Sequence, residues 1–196
     1  MSEERLRQFA GLVAKWSPKI NLVSKGDLAH IWERHVRDSL DLVAHIPAGV
    51  TRATDLGSGA GFPGMVLAIA TGIEFTLIES DTRKAAFLME AARILTAPVK
   101  VLNTRIEAAK TQPAPLVTAR ALAPLDKLLG LAAPHLAGNG VCLFPKGRGA
   151  EVELTAARAV WHMEVERFAS TLDAEACILK VSQIRHVGTS KAAAAP

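Results

Sequence analysis

An acid followed by alternating glycines is the first chemically pointed feature of this chain: Asp55-Leu56-Gly57-Ser58-Gly59-Ala60-Gly61-Phe62-Pro63-Gly64. An apolar-biased run ends at Leu56. The glycines let the backbone turn sharply and let a ligand come close. Pro63 suits the first turn of the helix that the apolar residues after it predict. Free N–H groups at that helix start face whatever occupies the turn. A carboxylate able to grip ribose hydroxyls is wanted at the end of the next strand. Residues 73–78 read as that strand, and Glu79 ends it, 24 residues after Asp55.

Spacing alone leaves two readings of the turn. Gly59-x-Gly61-x-x-Gly64 matches the dinucleotide-binding fingerprint and implies a nicotinamide cofactor. Asp55-x-Gly57-x-Gly59-x-Gly61 puts its first glycine at the strand end, where a turn is needed. That pattern resembles the first motif of class I S-adenosylmethionine methyltransferases. S-adenosylmethionine carries no phosphate to cradle, and a nearby acid such as Asp55 can face its cationic methionine end.

The elements that must position these residues alternate along the chain. Residues 3–16 read as an amphipathic helix, with Leu6, Phe9, Leu12 or Val13 and Trp16 at helical spacing. Ser17 and Pro18 should stop it. Asp27 is placed to cap a helix over 28–44, on which Arg34, His35 and Asp38 would share a face. Strands are predicted over 51–56, 73–78, 98–103, 115–119 and 140–145. Helices fall near 63–71, 82–95, 124–136 and 149–159, with a brief turn at 105–109. Strands alternating with helices give a parallel sheet. Two late strands, 160–168 and 175–184, read as an antiparallel hairpin at one sheet edge, as in the seven-stranded methyltransferase sheet. The expected fold is therefore α/β, Rossmann-like and mostly parallel, with a helical cap (1–48), a methyltransferase domain (49–188) and a disordered tail (189–196).

Ligands of such sheets bind at the carboxyl ends of the strands. That rule nominates Gly57, Ser58, Gly59 and Phe62 after the first strand, and Glu79, Ser80 and Asp81 after the second. It nominates Asn103, Arg105, Ile106 and Glu107 after the third, Arg120 after the fourth, and Pro145, Lys146 and Arg148 after the fifth. Ile106 and Glu107 could flank an adenine ring and accept from its amino group. Arg120, among alanines and prolines, suits a ligand or an RNA phosphate.

Composition narrows the class. The chain is 49% apolar and 21% charged, ordinary for one globular domain. No stretch of about 20 apolar residues predicts a membrane span, and the charged N-terminus lacks a secretory h-region. The chain is expected to be cytoplasmic. Cys142 and Cys177 lie in apolar runs and read as buried thiols, so no metal site is expected. A net charge of +4 permits an RNA partner without demanding one.

Taken in order, the segments resemble the bacterial 16S rRNA guanine-N7 methyltransferase family, also called the glucose-inhibited division protein B family. The matching pieces are Asn21-Leu22, Arg34-His35-x-x-Asp38-Ser39-Leu40 and the turn from Asp55 to Gly64. They continue with Glu79-Ser80-x-x-Arg83-Lys84-x-x-Phe87-Leu88, Arg105-Ile106-Glu107, Thr118-Ala119-Arg120-Ala121 and Lys146-Gly147. The resemblance runs from about 20 to 150. It implies methylation of guanine N7 in the 530 loop of 16S rRNA (guanine 527 in the usual RNA numbering) with S-adenosylmethionine, on naked rRNA or the 30S subunit; a monomer is expected, though the sequence does not fix the oligomeric state. It implies cofactor contacts by Gly57, Phe62, Ile106, Glu107 and Arg120, with Asp55, Gly59, Gly61 and Glu79 completing the site. Arg120, Asp38 and His35 are then the candidates for a role in transfer. Arg34, Arg37, Lys146 and Arg148 are the candidates for RNA. Guanine N7 has a free lone pair, so no general base is required. Three rivals remain: a methyltransferase for another RNA or small molecule, a nicotinamide-dependent oxidoreductase, and a non-catalytic ribosome-binding module.

Overall fold

The computed structural model describes residues 2–189, so the predicted tail lies, from 190 on, outside the described residues. Seven strands form one sheet in the order β3-β2-β1-β4-β5-β7-β6. They are β1 (Arg52–Leu56), β2 (Glu74–Glu79), β3 (Val99–Asn103), β4 (Ala114–Ala119), β5 (Leu136–Lys146), β6 (Trp161–Ala169) and β7 (Cys177–His186). The first five are parallel to one another. β7 runs antiparallel to both β5 and β6, which is the reversed strand that the late hairpin predicted.

Alternation along the strands builds two cores. Phe75, Leu77, Leu116, Leu143 and Ile178 pack with helices α1 (Ser2–Ile20), α3 (Gly64–Thr71) and α4 (Thr82–Leu95) on one face. Ile78, Val117, Phe144 and Leu179, one residue on, pack with α5 (Leu125–Ala132) and α6 (Ala150–Arg158) on the other. Cys142 and Cys177 are free and buried in this second core. Between β3 and β4 runs only a short 3-10 turn, Ile106–Ala108. A cavity of about 540 Å³ therefore opens on that side around Arg52, Glu74 and Lys100, away from the strand ends that carry the glycine turn.

The N-terminal region departs from the sequence expectation in two places. Helix α1 runs through Pro18 to Ile20. Trp16 and Ile20 pack on the core, with Trp16 5.7 Å from the Phe87 ring. That burial outweighs one lost backbone bond in the last turn. Asn21, at φ +54, ends the helix instead, a conformation Asn tolerates better than most residues.

The regular helix expected over 28–44 is replaced by four short pieces. They are a 3-10 helix (Lys25–His30), a π turn (Trp32–Arg37), α2 (Asp38–Leu40) and a second 3-10 helix (Asp41–His45). Ser24 caps the first, its side chain accepting from the Asp27 N–H at 3.2 Å. The wide π turn breaks the 3.6-residue spacing. Arg34 and Asp38 consequently do not pair with each other. Arg34 reaches back to Asp27 at 2.6 Å, and Asp38 reaches Arg120 at 3.1 Å.

Candidate active site

The glycine turn follows β1 directly. Gly57 and Gly59 hold φ of +62° and +55°, which favours glycine. A Cβ on Gly57 would stand 2.7 Å from Leu122, while one on Gly59 would meet nothing closer than 3.8 Å. Gly59 therefore leaves room for a ligand. Gly61 and Gly64 serve packing instead: a Cβ on Gly61 would meet Phe9 at 2.9 Å, and one on Gly64 would meet Leu77 at 2.6 Å. The glycines of the dinucleotide reading are thus mostly core glycines. Pro63 sits one residue earlier than the first helical position, as the cap of α3.

Glu79 ends β2 as predicted. Its Oε2 accepts the Gly59 N–H and its Oε1 accepts the Asp81 N–H, both at 2.7 Å. Each carboxylate oxygen keeps a lone pair for a ligand. The tip of β3 lies beside it, where Asn103 Nδ2 donates to the Glu79 carbonyl at 3.0 Å. Ile106 is half-buried and Glu107 exposed on the turn that follows. His135, at the end of the helix after β4, lies 3.2 Å from the Ile106 carbonyl through Nε2 and 2.6 Å from Thr111 through Nδ1. It holds that turn in place.

Asp55 lies beneath the glycine turn, 1% exposed. Its Oδ1 accepts from Thr118 Oγ1 at 2.6 Å. Burial pushes its pKa up to about 6, against the hydrogen bonds from Thr118 and Ser58. Asp55 braces the turn from below and does not line the cavity above it.

Phe62 gathers the cap onto the turn. His35 stacks on its ring at 5.1 Å, Phe9 approaches at 5.4 Å, and the Arg120 guanidinium stands 5.2 Å from its centre. Burial, and next the Arg120 charge, push the His35 pKa down to about 4. The ring is neutral at pH 7 and is not a proton donor there. Asp38 is raised by burial, opposed by Arg120.

Arg120 lines two cavities. One, about 170 Å³, lies over Gly57, Ser58 and Gly59 and is walled by Leu22, Asp27 and His35. The other, about 510 Å³, lies beyond the ends of β4 and β5, between Asp38, Pro124, Pro145, Ser170 and Ile178. The second volume falls within the usual range for small-molecule sites. Sequence reading missed the walls that Asp27 and Ser170 provide, because neither stands at the end of a parallel strand.

The residues nominated for RNA separate. Arg37 is exposed, Arg34 is 64% exposed and tied to Asp27, and Arg148 is 81% exposed, 2.9 Å from Glu175. Lys146 is not a surface cation. Its side chain is 10% exposed, and Nζ donates to the Ala123 carbonyl at 3.1 Å and to Glu153 at 2.7 Å. Glu153 also accepts the Leu125 N–H at 2.8 Å. Lys146 thus fixes the loop that carries Arg120.

The strand order, the reversed seventh strand, and the acid-and-glycine turn tied to Glu79 define a class I S-adenosylmethionine-dependent methyltransferase. Residues 2–178 match the family model described as rRNA small subunit methyltransferase G, and the chain belongs to that family. It is similar to ribosomal RNA small subunit methyltransferase G of Gluconobacter oxydans, at 55% identity over 95% of this chain and 96% of that one. The protein of the same name from Acidiphilium cryptum is 57% identical over 92% of this chain and 84% of its own. Among solved structures the fold resembles a glycopeptide N-methyltransferase complexed with S-adenosylmethionine, with TM-score 0.61 and 12% identity over 76% of this chain and 93% of that one. It also resembles ribosomal protein L11 methylase of Lactobacillus delbrueckii subsp. bulgaricus, with TM-score 0.58 and 16% identity over 74% and 76%.

Proposed function

We propose that this chain methylates N7 of a guanine in the 530 loop of 16S rRNA, within the 30S subunit or its RNA, in the cytoplasm. The observation that carries this reading is the place of Arg120, which lines both the cavity over the glycine turn and the larger cavity beside it. The first, over the glycine turn, suits the methionine end of the cofactor, and the second suits the guanine base.

The residues present fit S-adenosylmethionine. Gly59 leaves the backbone approachable, Glu79 keeps acceptor sites for ribose hydroxyls, and Ile106 with Glu107 follows the tip of β3. When bound, the cofactor supplies an electrophilic methyl group. The chain's own contribution is positioning, because guanine N7 needs no deprotonation. Alignment and exclusion of water account for rate by fixing reactants in line. Positive charge builds on the guanine during transfer. The Asp38 carboxylate, held by Arg120 at 3.1 Å on the wall of the larger cavity, is placed to stabilise it. His35 stacks on Phe62 and is neutral at pH 7, so it is not assigned a proton transfer. Arg37 and Arg148 offer exposed charge to RNA phosphates.

The reading is tested with 530-loop RNA in which the target guanine is replaced by 7-deazaguanine, assembled into 30S particles. The account predicts methyl transfer to guanine and none to the deaza base. Equal transfer to both would place the methyl group elsewhere and overturn the N7 assignment.

A further inference from the structure

The acid that sequence spacing assigned to the cationic end of the cofactor is out of reach beneath the turn, since Asp55 is 1% exposed and bonded to Thr118. Among the described residues lining the cavity above the turn, the one carboxylate is Asp27, from the N-terminal cap. Ser24 Oγ donates to its Oδ2 and Arg34 Nη1 to its Oδ1, each at 2.6 Å. These fix the carboxylate's orientation and leave further acceptor sites on both oxygens. The Ser24 hydrogen bond, the largest influence, helps hold the Asp27 pKa below the ordinary carboxylate value, so it is anionic at neutral pH.

His35 completes the arrangement. It lines the same cavity, and both its ring nitrogens are buried without a hydrogen-bond partner. Buried polar atoms without partners are rare and unfavourable. Nε2 stands 3.9 Å from Asp27 Oδ2, too far for a direct hydrogen bond. It is the span that a single nitrogen, bonded to both at roughly 2.8 Å, would bridge at an angle of about 90°. A neutral imidazole offers one bare acceptor nitrogen, and an ammonium brings three donors. Arg120 lines the same cavity and supplies a cation for a carboxylate.

We propose that Asp27, with His35 beside it, forms the subsite for the α-ammonium group of S-adenosylmethionine. This rests on the cofactor reading above and is independent of the RNA target. The N-terminal cap is then part of the cofactor site, and the methionine end is held from above by the cap rather than from below by the motif acid.

The test is calorimetric and needs no turnover. Three ligands are titrated: S-adenosylhomocysteine, its deaminated analogue and its decarboxylated analogue. For the unaltered protein, loss of the amino group is expected to weaken binding about 10- to 100-fold, the scale of one charge-assisted hydrogen bond. In Asp27→Asn that penalty is expected to shrink to about threefold or less. The penalty for removing the carboxylate should stay as it was, which shows that the variant is folded and binding. His35→Leu gives a second reading, with a reduced amino penalty and the same carboxylate penalty. An amino penalty in Asp27→Asn equal to that of the unaltered protein would overturn the proposal, as would no amino penalty at all in the unaltered protein. Absence of any S-adenosylhomocysteine binding by the unaltered protein would overturn the cofactor reading itself, a distinct outcome.

Discussion

Glu79 ties the tip of β2 to the glycine turn through a 2.7 Å hydrogen bond from the Gly59 N–H. Its other oxygen takes the N–H of Asp81, the residue whose side chain caps α4. One carboxylate therefore sets the shape of the turn and the start of the next helix, and its remaining lone pairs are the acceptor sites proposed for the cofactor.

Replacing Glu79 with Ala should weaken S-adenosylhomocysteine binding by about 1–3 kcal/mol, through lost charge-assisted hydrogen bonds and a loosened turn. Glu79→Gln should lose less, because one oxygen still accepts. Calorimetry decides it: affinity unchanged in Glu79→Ala would remove this residue from the site.

Gly64 carries a different load. A Cβ there would stand 2.6 Å from Leu77 Cδ2 and 2.7 Å from Asp55 Cβ. Gly64→Ala should destabilise the fold by roughly 1–3 kcal/mol through overpacking, seen as a lower Tm. Asp55 would be displaced with it, so cofactor affinity should fall too. A Tm equal to that of the parent protein would contradict this packing.

Lys146 and Arg148 should behave oppositely, though they are two residues apart. Arg148 is exposed, so Arg148→Ala should lower RNA affinity and reduce the salt slope by about one. Lys146→Met should leave the salt slope unchanged. It should instead lower Tm and methyl-transfer rate, because Glu153 loses its charge partner and the Arg120 loop its anchor. Equal salt slopes for Arg148→Ala and the parent would take Arg148 off the RNA surface.

The buried Asp55 gives a pH signature. Its folded pKa of about 6 lies above the ordinary value of 3.8. Between those values the folded chain holds a proton that the unfolded chain has lost. The stabilisation from Asp55 is therefore complete below about pH 4 and disappears as pH rises through 6. Asp55→Asn does not titrate and still accepts from Thr118. Its stability relative to the parent should rise between pH 5 and 7.5, by about 1.4 kcal/mol. A difference that stays flat across that range would show that Asp55 is ionised throughout.

Much of the architecture was legible because period-two apolar runs alternate with helical ones. β1, β2, α4 and the reversed β7 follow from that pattern, and Glu79 and Arg120 follow from their places at strand ends. The cap was not legible in the same way. A π turn at Trp32–Arg37 undoes the 3.6-residue spacing on which the shared face of Arg34, His35 and Asp38 rested, and tertiary packing carries α1 past Pro18. Asp27 looked like a helix cap, and Lys146 like a rim cation. The partners that redefine them, Ser24 with Arg34 and Glu153 with Ala123, are fixed by folding. β5 extends back to Leu136, beyond the predicted start at 140, because that stretch pairs with β4 through a register shift.

The central claim is tested most directly with tritiated S-adenosylmethionine and 30S subunits from a strain lacking this gene, followed by mapping of the modified base. The account predicts label on N7 of a guanine in the 530 loop, abolished by Arg120→Ala in a variant that retains its fold. Label on another base or another atom, or full labelling by Arg120→Ala, would contradict it.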